Sequence, residues 1–300
     1  MTDQRNGGIG WCDETWNCIR GCSRVSPGCQ FCYAERQAAR MIDGAYEGLV
    51  RISKGGEPRW TGEVRFVEER LGDPLKWKRP RMVFVNSMSD IFHENLSNEN
   101  IAAVFGVMAA ASKHTFQVLT KRAERMRDWF RWVEQQNEGA YTYCFRRACF
   151  MLPRASMPGP PPSWPLPNVW LGVSVENQQY ADERIPLLLE TPAAVRFVSY
   201  EPALGPVDFG LPRRADEFCG LPPGSRPGYV SDYLHWIIYG DESGPGARPG
   251  NHDWARSVRD QCAQVGVAFF LKQMIVDGQM HKQPQQFPSD LRIQEFPGGR

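Results

Sequence analysis

Six short runs of apolar, β-branched and aromatic residues constrain this chain more than any other feature. They read MVFVNS (82–87), TFQVLT (115–120), NVWLGVSVE (168–176), VRFVSYE (195–201), LHWIIYG (234–240) and VAFFLKQ (267–273). Most are continuously apolar rather than alternating, the pattern of strands covered on both faces. Helical spacing falls between them. Ser97 is placed to cap a helix whose buried face carries Ile101, Val104, Phe105 and Met108. Ala123, Met126, Phe130 and Val133 repeat that spacing, as do Ile185, Leu188 and Leu189, and then Val258, Cys262 and Val265. Strands alternating with helices predict an α/β fold with a parallel sheet, closed or partly closed into a (β/α) barrel of about six to eight strands.

Residues 1–300 are expected to form a single domain with two surface insertions, near 135–167 and 206–233. The first contains PRASMPGPPPSWPLP (153–167), too rich in proline for a helix or central strand, and the second contains LPRRADEFCGLPPGSRPGY (211–229). Lysine and arginine number 35 against 34 acidic residues, so total charge neither requires nor excludes a nucleic-acid partner. No stretch approaches the length of a membrane span. The opening MTDQRNGGIGW lacks the charged-then-apolar layout of an export signal, so a cytoplasmic location is expected.

In parallel α/β folds, sites gather where the strands finish. Here the strand ends carry Asn86, Ser87 and Asp90, then Thr120, Lys121 and Arg122, then Ser174, Glu176 and Asn177. Ser199 and Glu201, then Asp241, Glu242 and Ser243, then Lys272 and Gln273 complete the set. The glycine-rich GDESGPGARPG (240–250) follows a strand but lacks the Gly-Lys-Ser/Thr ending of a phosphate loop and the spacing of a dinucleotide fingerprint. The five histidines are dispersed, without metal-ligand spacing. LTKRAERMRDWFRW (119–132) mixes basic and aromatic residues, as single-strand binders do, but reads more simply as an amphipathic helix with a solvated basic face.

Of nine cysteines, five (Cys12, Cys18, Cys22, Cys29 and Cys32) lie within the first 32 residues. Clustered thiols without an export signal point to metal or redox chemistry rather than disulfides. Cys22-x6-Cys29-x2-Cys32 could hold a cubane iron–sulfur cluster with one iron left open. Adding Cys18 would give the four thiolates of a zinc knuckle. Phe31, directly before Cys32, and the βα-rich chain that follows favour the cluster.

The CQFC ending, with its aromatic before the last cysteine, resembles the cluster loop of radical S-adenosylmethionine (SAM) enzymes. More broadly the chain resembles a phage-associated radical-SAM-like family of unassigned function, found in phages and bacteria and sometimes beside a three-Cys-motif partner protein. The stretches that carry the resemblance are TWNCIRGCSRVSPGCQFCYAE, PRMVFVNSMSDIFHE, HTFQVLTKRAERM, NVWLGVSVENQQYADERIPLLL, VRFVSYEPALGPVD and GDESGPGARPGNHDWARSVRDQC. Together they span most of the chain.

The resemblance implies a barrel of the radical SAM type, with a cluster loop at 18–35 and a [4Fe-4S] cluster on Cys22, Cys29 and Cys32. It also implies SAM as cofactor and a reductant such as flavodoxin or ferredoxin. The substrate is left open, with nucleic acid or a nucleotide among the candidates. Phe31 would pack beside the adenine, Ser87 and Asp90 would meet the SAM amino group, and Ser174 and Glu176 the ribose. Glu201 and Glu242 would face substrate or cofactor. The sequence departs from the family at Cys18, where proline is usual, at Asp241, where a second glycine is usual, and in the x6 spacing, where radical SAM loops carry x3. A zinc-stabilised nucleic-acid-binding protein, and a cluster-binding relative that no longer cleaves SAM, are the competing readings.

Overall fold

All six apolar runs become strands in the computed structural model, which describes residues 9–41, 44–153, 155, 163–214 and 228–298. Two compact units divide the chain: Met1–Val25 with Cys32–Trp170, and Ser26–Phe31 with Leu171–Arg300.

In the first unit, β1 (Glu14–Trp16) and β2 (Ile19–Arg20) precede α1 (Tyr33–Arg40). A hairpin of β3 (Val50–Ile52) and β4 (Pro58–Trp60) follows, then β5 (Arg65–Phe66), α2 (Glu68–Leu71) and α3 (Asp73–Lys76). The remaining elements are β6 (Met82–Val85), α4 (Asn98–Ala110), β7 (Thr115–Thr120), α5 (Ala123–Glu134) and α6 (Ala140–Met151). β6 pairs in parallel with β1 on one side and β7 on the other, with Phe84 opposite Thr15 and Val83 opposite Phe116. β2 pairs antiparallel with β5.

Ser97 caps α4 as its sequence requires, its hydroxyl accepting from the Asn100 amide at 3.2 Å. Ile101, Val104, Phe105 and Met108 are buried, but so are the residues between them, because α4 is covered on more than one face. Gly106 makes one of those contacts possible: a Cβ there would lie 2.1 Å from the Cys144 carbonyl oxygen of α6. Phe105, Trp129, Phe130 and Trp164 build an aromatic cluster in this core, with Phe105 and Trp129 centroids 4.5 Å apart.

β8 (Val169–Val175) straddles the division and is buried throughout. The second unit continues with α7 (Gln178–Glu190), β9 (Val195–Tyr200), β10 (Trp236–Gly240), α8 (His252–Val265), β11 (Ala268–Val276) and β12 (Gln279–His281). β9, β10 and β11 run parallel, and β12 returns antiparallel against the end of β11. Gly172 leaves room for the Phe197 ring, which would lie 2.5 Å from a Cβ at that position. Asn177 and Asn251 cap α7 and α8, and Gly266, at φ 75°, ends α8 in the left-handed conformation that glycine adopts without strain. The Leu271 amide donates to the Ile293 carbonyl, and the Glu295 amide to that of Phe269, both at 2.9 Å.

The fold is α/β with an eight-stranded, mostly parallel sheet, at the upper end of the expected strand number. The expected insertion near 135–167 is partly regular structure: residues 140–151 are α6, which buries Cys144 and Ala148. Its small buried residues give little hydrophobic periodicity to read. Residues 154, 156–162 and 215–227, including Cys219, lie outside the described residues. No helix among the described residues is long and apolar enough to cross a membrane.

Candidate functional site

The cysteines divide by environment. Cys18, between β1 and β2, is fully buried, and its Sγ lies 3.9 Å from Asn86 Oδ1. Burial pushes its thiol pKa well up, so it stays protonated. Cys22, Cys29 and Cys32 are half-buried. Gly21 precedes the first of them at φ 88°, and a Cβ there would lie 2.2 Å from the Glu63 carbonyl oxygen, so only glycine delivers the chain to Cys22. Cys22 and Cys32 pack against one cluster formed by Ala34, Ala38, Tyr46, Leu49, Trp60 and Met88. Cys32 is the residue on which α1 starts, and Tyr33 donates its phenol to the Ser87 carbonyl. Arg24 forms an ion pair with the buried Glu35, which also accepts from the Trp60 amide at 3.0 Å.

Arg122, at the end of β7, organises the polar side of this loop. Its Nη2 donates to Ser23 Oγ at 2.7 Å and to the Ser23 carbonyl at 3.3 Å, and its Nη1 lies 3.9 Å from Cys22 Sγ. Asp90 and Glu94 hold the guanidinium at 3.1 and 2.7 Å. Burial opposes its charge, but Asp90, Cys22 and Glu94 more than offset that and raise its pKa. Asp90 in turn accepts from Thr120 Oγ1 and from the Phe92 and Lys121 amides. His93 is buried; its Nδ1 accepts from the Asn95 amide at 3.1 Å, so its proton sits on Nε2, which donates to Ser23 Oγ at 3.0 Å. Burial, then the Arg122 charge, lower its pKa and keep the ring neutral.

Asn86 and Ser87 follow β6. Asn86 stands at φ 60° and accepts the Ile19 amide on Oδ1 at 3.3 Å, while its buried Nδ2 has no partner among the described residues. Ser87 donates to Asn17 Oδ1 at 3.3 Å.

In the second unit, Pro27–Cys29 is a single 3-10 turn. Ser26 Oγ donates to Glu176 Oε1 at 2.7 Å and lies 3.8 Å from Cys29 Sγ. Glu176, just past β8, is fully buried, and its other oxygen accepts from Arg184 at 3.1 Å. Arg184 also donates to the Ser174 carbonyl at 2.7 Å and lies over the Tyr180 ring. Phe31 stacks on Arg248, with 5.5 Å from the guanidinium carbon to the ring centre. Arg248 chelates Glu242 through its amide (2.9 Å), its Nε (2.8 Å) and Nη2, and donates to the Pro27 carbonyl at 3.0 Å. Glu201 pairs with Lys272, both oxygens 2.6 Å from the ammonium.

Asp241 stands where the resemblance implies glycine. It accepts from the Tyr239 phenol at 2.9 Å and the Ile275 amide at 2.8 Å, and a Cβ at Gly250 would lie 2.1 Å from its Oδ2. Burial raises its pKa despite those two donors.

Each carboxylate singled out at a strand end thus has a cation or hydrogen-bond donors of its own. Sequence reasoning missed Ser26, Arg184 and Arg248. Only the last carried a signal, as an arginine six residues after Glu242 in a glycine-rich loop. The basic-aromatic stretch 119–132 resolves as the amphipathic helix α5: Trp129 and Phe130 are buried, and Arg125 and Arg127 are engaged by neighbouring oxygens. Among the described residues, no group of three or more His, Cys, Asp and Glu side chains stands ready-made to hold a metal ion.

Neither the curated proteins nor the solved structures contain a match to this chain. A family model described as "Protein of unknown function (DUF5131)" matches residues 6–289, and the chain belongs to that family.

Proposed function

We propose that the chain is a radical SAM-type enzyme whose [4Fe-4S] cluster is held by Cys22, Cys29 and Cys32. The observation that carries the reading is the split among the clustered cysteines. Three are half-buried cysteines on one loop, whereas Cys18 is fully buried and kept protonated by burial. Three thiolates are the donor set that leaves one iron open, while a zinc knuckle would need a fourth. Because the described side chains form no ready-made group, ligation and closure of the loop would occur together.

When bound, cluster and SAM supply one-electron cleavage of SAM and hydrogen abstraction from the substrate, with the electron drawn from a reductant such as flavodoxin or ferredoxin. The chain's own residues bind and orient. Arg122 places positive charge beside Cys22, which favours the thiolate that ligation requires. The unpartnered Asn86 Nδ2 is a buried strand-end donor for a ligand oxygen. Phe31, braced by Arg248, offers a ring face to an adenine. Asp90, Glu176, Glu201 and Glu242 already hold Arg122, Arg184, Lys272 and Arg248, so a ligand ammonium or hydroxyl at any of them exchanges with that cation. The phage association, a three-Cys-motif partner protein and a radical SAM barrel belong to the same proposal.

The test is anaerobic purification with iron, sulfide and zinc analysis, then electron paramagnetic resonance of the reduced protein with and without SAM. About four irons and four sulfides per chain and a signal that shifts with SAM are expected. Cys18→Ala should keep the cluster and Cys29→Ala should lose it. One zinc with no sulfide, and equal dependence on Cys18, would overturn the reading in favour of a colourless zinc protein.

A further inference from the structure

The hairpin of β3 and β4 borders a groove of ≈ 580 Å³ whose lining contains four cations, Arg24, Arg51, Lys54 and Arg59, and no carboxylate. Ser23, the residue after Cys22, lines it, as does Trp60, which belongs to the cluster against which Cys22 and Cys32 pack.

Arg51 and Arg59 are direct cross-strand partners in the hairpin. Like charges placed opposite each other destabilise a strand pair, so the arrangement works against the hairpin itself. Arg24 is neutralised by Glu35 and Arg59 by Glu57. Arg51 and Lys54 are exposed, and neither has a carboxylate partner among the described residues. Two uncompensated cations therefore stand in a chain whose total charge is only +1.

The groove is poorly made for one small phosphate. Three amides of the hairpin turn that could cradle one are spent locally, Gly56 on the Ser53 carbonyl (2.9 Å), Ser53 on the Glu57 carbonyl (2.8 Å) and Glu57 on Ser53 Oγ (3.2 Å). What remains are long, exposed cationic side chains spread along a hairpin, with Ile52 62% exposed between them. That suits a chain of phosphates with apolar sugar and base surface, held by charge rather than by a closed pocket.

We propose that this groove binds the phosphate backbone of a single-stranded nucleic acid and brings it beside the cysteine loop. Strand binding stands on the groove alone; that the strand is the substrate rests on the cluster reading above.

The experiment is fluorescence anisotropy with labelled single-stranded DNA and RNA across a salt series, on anaerobically purified protein whose iron content is measured in parallel. Binding and metal are thereby scored separately: a strand that binds protein holding no iron keeps the groove and sinks only the cluster reading. The Arg51→Ala/Lys54→Ala variant should bind about tenfold or more weakly, with the slope of log affinity against log salt reduced by about 1.4, or ~0.7 for each lost phosphate contact. Its thermal melt should be unchanged or slightly raised, since both side chains are exposed and Arg51 no longer opposes Arg59. No strand binding at low salt, wild-type affinity in the double variant, or equal competition by a free nucleoside triphosphate would each overturn the proposal.

Discussion

Ser26 donates its hydroxyl to Glu176 at 2.7 Å, tying the cysteine loop to a residue 150 positions further along the chain. The contact depends on Gly28, because a Cβ there would lie 2.4 Å from Glu176 Oε1. Glu176 cannot retreat, since Arg184 holds its other oxygen and the side chain is buried. Gly28→Ala should therefore cost about 2 kcal/mol in a urea titration, as overpacking does, and lower the iron content of the purified protein.

Arg122 is the second point of control. Arg122→Met would strand Asp90, whose side chain is only 8% exposed, although Thr120 and two amides still hold it. A loss of about 3 kcal/mol is expected, with Arg122→Lys recovering part of it. The same variant changes the acid limb. Against the upward push of burial, a backbone amide and Arg122 pull the Glu94 carboxyl from its ordinary 4.5 to about 2. Between those values the unfolded chain binds more protons, so this contribution is present above pH 4.5 and is lost as pH falls towards 2. Circular dichroism across that range should show a shallower acid loss in the variant than in the wild type.

Asp241 titrates in the opposite sense. Burial raises its pKa above the ordinary 3.8, so here the folded chain binds the extra proton and stability falls as pH rises through the window above 3.8. Asn can replace it: its carbonyl can accept from the Ile275 amide while its amide donates to the Tyr239 phenol, which can turn its own proton to the Asn251 carbonyl 3.2 Å away. Asp241→Asn should match or exceed wild-type stability at pH 7 in thermal melts and remove that part of the pH slope.

Gly106→Ala tests the packing of α4 on α6. The added methyl meets a backbone carbonyl that has no rotamer to escape into, so about 3 kcal/mol should be lost. Chemical denaturation measures it directly.

Much of the fold was legible because its strands are buried on both faces, which writes them as unbroken apolar runs: TFQVLT is β7 residue for residue, and 195–201 is β9 plus one. β1 escaped notice because Glu14, Thr15 and Trp16 carry no such run, and α6 because Cys144 and Ala148 are too small to mark a face. The strand-end carboxylates were found by position. Arg122 and Lys272, the partners of Asp90 and Glu201, were found the same way, but those of Glu176 were not, because Arg184 reaches it from within a helix and Ser26 from a distant loop, and neither spacing has a sequence signature. Burial, not spacing, set Cys18 apart from its neighbours.

The returning strand β12 and the backbone around Ile293 and Glu295 together occupy the outer side of β11. A parallel sheet that stopped at β11 would offer Phe269, Phe270 and Leu271 on a bare edge, a template on which another chain could add a strand and begin an aggregate. These short segments therefore act as a guard on the sheet's growth, and a chain shortened before Ile293 would trade that guard for stickiness while keeping every residue of the cysteine loop.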